Sequence, residues 1–400
     1  MTFLEIPVFF GVENQNLRNM NIKFIALAAM SLAVGTSAIG QEYSSYGFDR
    51  EFPACLDQMQ ATLTYPMAWG NSPIKQFDVW RNEARHCVFD AMQMAPPAAT
   101  DRKVEVVATE RRDGYEARKL RFNLSEFTRA EAYYLVPDGK GPFPTVILLH
   151  DHGGHYVIGK EKMVRPFACA DTICKVSEWW QTQCYGGQYV GDYLAHNGYA
   201  VFVTDALYWG ERGRREGRGT DTHMRMAGNL MELGYCWSGI LAWDDIYTAD
   251  FVASLPEVDA TRIGCMGHSI GGYRAWMLSA MSDRIKTGVA VCWMVTTDVQ
   301  CSWEYGNEWG GFANTLPGLK RYLDYPHVAA MACPKPMYFI NGKKDKLFHP
   351  VGVQKAYDYM HGVWDGQGVG QRLKTELWDM PHWCGPEVQA AVKKFLDENL

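Results

Sequence analysis

The sequence lacks a basic face. Its 39 Lys and Arg are outnumbered by 45 Asp and Glu, the net charge of -6 is modest, and neither sign is clustered. A phosphate backbone needs a concentrated positive surface, so nucleic acid is excluded as the partner. There is no internal repeat and no low-complexity segment. The apolar stretch Phe24 to Ala33 falls short of the roughly 20 residues that a helix needs to cross a bilayer. The cysteines number 11, an odd count that argues against a fully paired disulfide framework.

The flanks of that apolar stretch explain it. Met20-Asn21-Ile22-Lys23 precedes it, and Ser37-Ala38-Ile39-Gly40 follows it before Gln41-Glu42. A short basic start, an apolar centre and small residues at the cleavage position read as a secretory signal peptide over residues 20–40. A membrane anchor is the competing reading. Export to the periplasm is expected, with no membrane span once the signal is removed. Residues 1–19 do not resemble the start of such a signal, so Met20 is the expected native start. Export permits disulfides, and Cys169, Cys174 and Cys184 share one loop-like region; Cys265 and Cys292 lie in apolar runs and read as buried thiols.

At 47% apolar residues the chain can bury a large core. Its 14 Trp and 21 Tyr exceed ordinary core filling, and aromatic platforms suit sugar rings, although packing accounts for most such residues. Residues 41–102 are broken by Pro53, Pro66, Pro73, Pro96 and Pro97 around short helical pieces such as Trp80 to Met94, and read as an extension packed on the main domain. From residue 103 to 400 the pattern changes. Strands are expected at Val104–Ala108, Tyr115–Phe122 and Ala130–Val136, then at Thr145–His150, Tyr199–Thr204, Arg262–Met266, Thr287–Trp293, Lys335–Ile340 and Leu373–Trp378. Helical segments separate the later ones, including a long stretch within Met224 to Leu255 and a closing helix from Pro386 to Leu396. Such alternation implies a mainly parallel sheet covered on both faces, with its ligand site at the carboxyl ends of the strands.

One stretch carries chemistry. Gly267-His268-Ser269-Ile270-Gly271 follows a strand and precedes a helix, which is the context of a nucleophile elbow. The glycines remove side chains that would collide in so tight a turn, and the turn aims the Ile270 N–H at a bound carbonyl oxygen. A serine needs a base, and the base an orienting carboxylate. His382, after the last strand, is the candidate base. Asp345, after Asn341-Gly342-Lys343-Lys344, is the candidate acid, with Asp298 after the preceding strand as the alternative. The loop His150-Asp151-His152-Gly153-Gly154-His155 should supply the second oxyanion donor, the N–H of His152. Its histidines and aspartate are also metal-ligand types, but neighbouring residues at a strand end face opposite ways, so no metal is expected.

Taken in order, Leu149 to Gly154, Gly198 to Asp205 with Gly210-Glu211-Arg212, Gly267 to Gly272, Gly342 to Asp345 and His382 resemble the α/β-hydrolase superfamily. Within it they resemble the dienelactone hydrolase and acetyl xylan esterase branch, and the secreted pectin methylesterases of carbohydrate esterase family 19. The resemblance implies an α/β-hydrolase fold and serine ester hydrolysis through Ser269, His382 and Asp345, without a cofactor. The implied substrate is an esterified plant polysaccharide or oligosaccharide, pectin methyl ester first and a carbohydrate acetyl ester as the alternative. Asp151 departs from the family's glycine. A uronate substrate would call for cations, for which Arg212, Arg214, Arg215, Arg218, Lys160 and Lys162 are candidates, and Trp209, Trp237 and Trp293 could stack on sugar. A peptidase of the same fold and an inactive glycan-binding scaffold are the competing functions.

Overall fold

The alternating stretch from Lys103 forms three antiparallel strands, Glu105–Arg112 (β1), Tyr115–Asn123 (β2) and Arg129–Pro137 (β3). Six parallel strands follow: Phe143–Leu149 (β4), Ala200–Thr204 (β5), Val258–His268 (β6), Thr287–Val291 (β7), Met337–Gly342 (β8) and Leu373–Trp378 (β9). Together they make one nine-stranded sheet in the order β9-β8-β7-β6-β4-β5-β3-β2-β1. The coordinates are a computed structural model that describes residues 47–214, 220–306 and 311–400. The expected signal peptide, Arg215 and Arg218 lie outside the described residues.

The chain divides into residues up to Leu56 and residues Asp57–Leu400. In the first unit Phe48–Asp49 pairs antiparallel with Phe52–Pro53. In the second, the longer helices are Phe77–Ala91 (α1), Asp171–Trp180 (α2), Val190–His196 (α3), Thr220–Glu232 (α4), Trp237–Val252 (α5), Ile270–Met281 (α6), Pro350–Gly366 (α7) and Pro386–Asn399 (α8).

Strand β4 shows how the core is arranged. Val146 and Leu148 share a buried cluster with Val190 and Leu194 of α3 and with Val388 and Val392 of α8. Ile147 and Leu149, pointing the other way, share one with Phe251 of α5 and with Ala275 and Leu278 of α6. The period of two therefore places one helical layer on each face. β4 lies between β5 and β6, so the chain reverses its direction of travel across the sheet after β4. That is the topological switch point, and it opens a crevice at the carboxyl ends of β4 and β6.

The stretch Met224 to Leu255 holds the end of α4 and, as expected, one long helix, α5. Gly234 at φ +81° turns the chain after α4, and the Cys236 thiol then caps α5 by accepting from the Gly239 N–H at 3.3 Å. The strand expected to run to Trp293 ends at Val291, because Cys292 adopts φ +53°.

Helix α1 buries Trp80, Ala84, Val88 and Ala91 as one stripe, in a cluster with Trp276 of α6 and Trp364 of α7. Polar contacts fix its register: Arg85 Nε donates to Ala280 O at 2.7 Å, Arg81 to Cys333 O at 3.0 Å, and Trp80 Nε1 to Met67 O at 2.7 Å. Trp80→Ala is expected to lower unfolding free energy by about 3–5 kcal/mol, read from urea denaturation. An unchanged midpoint would show that α1 is not part of the cooperative core. Cys169 and Cys174 bring their Sγ atoms to 3.3 Å. Oxidised glutathione is expected to convert this pair to a disulfide, detected as the loss of two hydrogens from the tryptic peptide that carries both cysteines and reversed by reductant.

Candidate active site

Strand β6 runs into α6 through Ser269, whose backbone sits at φ +58°, ψ -127°, a region that a side-chain-bearing residue enters only under strain. The flanking glycines are sterically required. A Cβ on Gly267 would lie 2.1 Å from Gly271 O, one on Gly271 1.9 Å from Leu149 O, and one on Gly272 2.9 Å from Val291 O. The elbow thus presses directly on the end of β4. Ser269 is held by its own N–H on Val291 O at 2.9 Å, and its carbonyl accepts from Gly272 N at 2.7 Å. Ile270 is the first residue of α6, so its N–H has no partner within the helix and lies at the positive end of the helix dipole.

The loops after β8 and β9 bring an acid and a base together. His382 Nδ1 and Asp345 Oδ2 are 2.7 Å apart, and Asp345 Oδ1 accepts from Leu347 N at 2.8 Å. The Asp345 carboxylate is fully buried, and the His382 ring is partly open. Engagement of Nδ1 leaves Nε2 directed to the other side of the ring. The two loops are joined by Lys343 N on Trp378 O at 2.8 Å and Lys344 N on Met380 O at 3.0 Å. His382 lies over His268, the residue before Ser269, with ring centroids 4.7 Å apart. The alternative acid, Asp298, is half exposed and bound to Lys355 at 2.8 Å. The structure brings Asp345 to His382 and leaves Asp298 elsewhere.

The third component is the loop after β4. His150 is buried, with Nε2 accepting from Ala206 N at 3.0 Å and Nδ1 2.9 Å from Asp151 O. Asp151 turns inward, where its Oδ2 accepts from Tyr185 OH at 2.6 Å and from Trp180 Nε1 at 3.1 Å. These contacts engage two of the loop's ligand-type side chains, His150 and Asp151. Among the described residues, one group has metal-ligand types close together: His268, Cys292 and His382, with ligand atoms within 4.8 Å of one another. It includes the histidine already committed to Asp345. Gly153, at φ +57°, is required by space as well, since a Cβ there would lie 2.4 Å from the Trp180 ring.

Several sequence-level candidates sit elsewhere than expected. Trp209, Trp237 and Trp293 are buried in the core cluster and present no ring to solvent. Arg212 is buried on Asp244 Oδ2 at 2.8 Å and on Asp205 O at 3.1 Å, so it holds its own loop rather than facing a ligand. Lys160 is buried against Asp205, Glu161 and Glu211, and Lys162 against the Asp151 loop. Of the proposed cations, Arg214 is the one exposed among the described residues.

The Abhydrolase family model matches residues 34–365, most of the chain. The chain belongs to the Abhydrolase family. YtaP of Bacillus subtilis (strain 168), named as a hydrolase, is 27% identical over 296 residues, covering 74% of this chain and 92% of that protein. Among solved structures, one described as an acetyl xylan esterase from Bacteroides fragilis NCTC 9343 matches with a TM-score of 0.65 at 17% identity, over 81% of each chain. Methylesterase BT1017 matches with a TM-score of 0.59 at 18% identity, over 86% of this chain and 66% of that one. A glucuronoyl esterase from Solibacter usitatus matches with a TM-score of 0.54 at 15% identity, over 79% of this chain and 91% of that one. The fold is thus the α/β-hydrolase fold. No helix among the described residues is long and apolar enough to cross a membrane.

Burial, complete for His150 and His268 and partial for His152 and His327, keeps four histidines in the neutral form. Burial holds His268 down to about 3 and His152 and His327 to about 4, and it takes His150 well below 6.5. The unfolded chain would protonate each of them near pH 6.5. Between that pH and the folded values the unfolded state binds more protons, so stability falls as the solution is acidified, by up to about 1.4 kcal/mol per group per pH unit. Urea midpoints are expected to drop steeply from pH 7 to pH 5. His268→Asn should flatten that slope, and an equal slope would contradict the buried neutral assignment. Gly271→Ala is expected to leave no soluble folded protein or to displace the elbow, as judged by circular dichroism.

Proposed function

We propose that the protein is an exported serine carboxylic-ester hydrolase acting on esterified plant polysaccharide. The observation that carries the reading is the 2.7 Å His382–Asp345 pair beside a serine strained into an elbow. In this reading Ser269 Oγ attacks the ester carbonyl while His382 Nε2 takes its proton. Asp345 holds His382 in the tautomer that leaves Nε2 basic. The N–H groups of Ile270 and His152 receive the oxyanion. Collapse of the tetrahedral intermediate expels the alcohol, protonated by His382, and leaves an acyl-enzyme. Water, activated by the same histidine, then releases the acid and restores the serine.

The carbohydrate ester class is supported by the printed names of the structural neighbours, an acetyl xylan esterase, a methylesterase and a glucuronoyl esterase. The finer reading is a uronate methyl ester of pectin, as the resemblance implies. Carbohydrate acetyl ester is the second reading, favoured by the acetyl xylan esterase match at a TM-score of 0.65. Burial of Arg212, Lys160 and Lys162 removes three of the cations that would have singled out a uronate.

The deciding assay incubates protein starting at Gln41 with methylated pectin and with acetylated xylan, using Ser269→Ala as control. Serine-dependent methanol release is expected; acetate release alone would move the assignment to the acetyl ester, and neither product would reject the carbohydrate ester class. On p-nitrophenyl acetate, Asp345→Asn should lower kcat by about 10⁴-fold. Asp298→Asn should stay within about twofold of the parent. The reverse order would move the acid to Asp298.

A further inference from the structure

Lys162 has no counterpart in the mechanism above, yet it is fully buried within the loop assigned to the oxyanion. Its ammonium donates to two consecutive backbone carbonyls, Asp151 O at 3.0 Å and His152 O at 2.9 Å. It also faces Asp151 Oδ1 at 3.4 Å. Two indoles flank it, with the Trp180 and Trp209 ring centroids 5.6 Å and 6.0 Å away. Trp209 adds its own Nε1–H to His152 O at 3.0 Å. Trp180 and Tyr185 hold the other oxygen of Asp151.

A trans peptide carries its C=O and its N–H on opposite sides. Where Lys162 captures Asp151 O, the N–H of His152, in the same peptide, points directly away from the ammonium. The second carbonyl imposes the same sense on the next peptide, which carries the N–H of Gly153. Leu149 O and His150 O lie against Gly271, so this loop leaves β4 beside the elbow. We infer that Lys162 is the positioning residue of the oxyanion loop, locking its peptides so that their N–H groups face the developing negative charge and placing a full positive charge one peptide behind it. Asp151 keeps that ammonium in place, which gives the departure from glycine a purpose. Gly153 leaves the room that Trp180 and Asp151 require.

This inference rests on the esterase reading, and the test separates the two. A fluorophosphonate reagent forms a Ser269 Oγ–P bond with loss of fluoride, and its phosphoryl oxygen enters the oxyanion position whatever the natural ester is. Wild-type protein, Lys162→Met and Trp209→Phe would be compared by the rate of this labelling and by kcat and KM on p-nitrophenyl acetate. Lys162→Met is expected to lose about 10²–10³-fold in kcat and in labelling rate, with KM little changed, as for loss of oxyanion stabilisation. If Lys162→Met does not fold, Trp209→Phe carries the test. It removes a single donor to His152 O and should cost about tenfold in the same two rates. Wild-type rates in the folded variant, or a raised KM at unchanged kcat, would overturn the role of Lys162 while leaving the esterase reading intact. Failure of the wild-type protein to be labelled at Ser269 would overturn the esterase reading and this inference with it.

Discussion

The site depends on one close approach, that of Gly271 to the carbonyl of Leu149. Only a hydrogen on the Gly271 Cα lets the start of α6 reach the end of β4, and that contact sets the elbow beside the loop that leaves the strand. The turn strains Ser269, so the surroundings must over-determine its conformation. They do so by burial and by charge. Helix α6 is buried along its whole length. Arg274 on this helix makes a two-point ion pair with Asp245 of α5, at 2.9 Å and 2.6 Å. Removing one partner would leave an unpaired buried charge at a cost of about 3–5 kcal/mol, so the pair fixes where α6 sits against α5 rather than adding net stability.

A second theme is that charge near the site is used internally. Lys160 sits with Asp205, Glu161 and Glu211, Arg212 with Asp244, and Lys162 with the Asp151 loop. The attraction of its acidic neighbours raises Lys160 well above its ordinary range against the cost of burial, whereas burial lowers Lys162, which has one carboxylate and two carbonyls around it. Each cation is thereby matched to a segment of the chain's own loops.

The elbow was legible in the sequence because steric need left a local signature, glycines two positions either side of a serine between a strand and a helix. His382 and Asp345 could be proposed for a related reason: Asp345 follows the apolar strand β8, and His382 follows the last strand, β9. The strands themselves appeared with small boundary shifts. What the sequence did not reveal was which charged and aromatic residues would be buried. Arg212 meets Asp244 across 32 residues and Lys160 meets Asp205 across 45, and composition around either residue looks like solvated surface. Trp209 and Trp237 stack on each other at 5.4 Å inside the core, a pairing set by loop geometry rather than spacing. Asp151 carried a signal, its departure from the family's glycine, but the inward turn of its side chain depends on Tyr185 and Trp180 far along the chain.

The hydrogen bonds joining the acid loop to the base loop have a further consequence. Asp345 and His382 are 37 residues apart in the chain, yet Lys343 and Lys344 are bonded to Trp378 and Met380. Strand β8 pairs with β9 along its full length. The segment connecting them passes through an exposed turn at Gly368, just past the end of α7. Covalent continuity through that turn is therefore not what keeps the acid beside the base. A chain cut there would keep its two fragments joined through the β8–β9 pairing, so the acid loop and the base loop would stay together without a covalent link at that point.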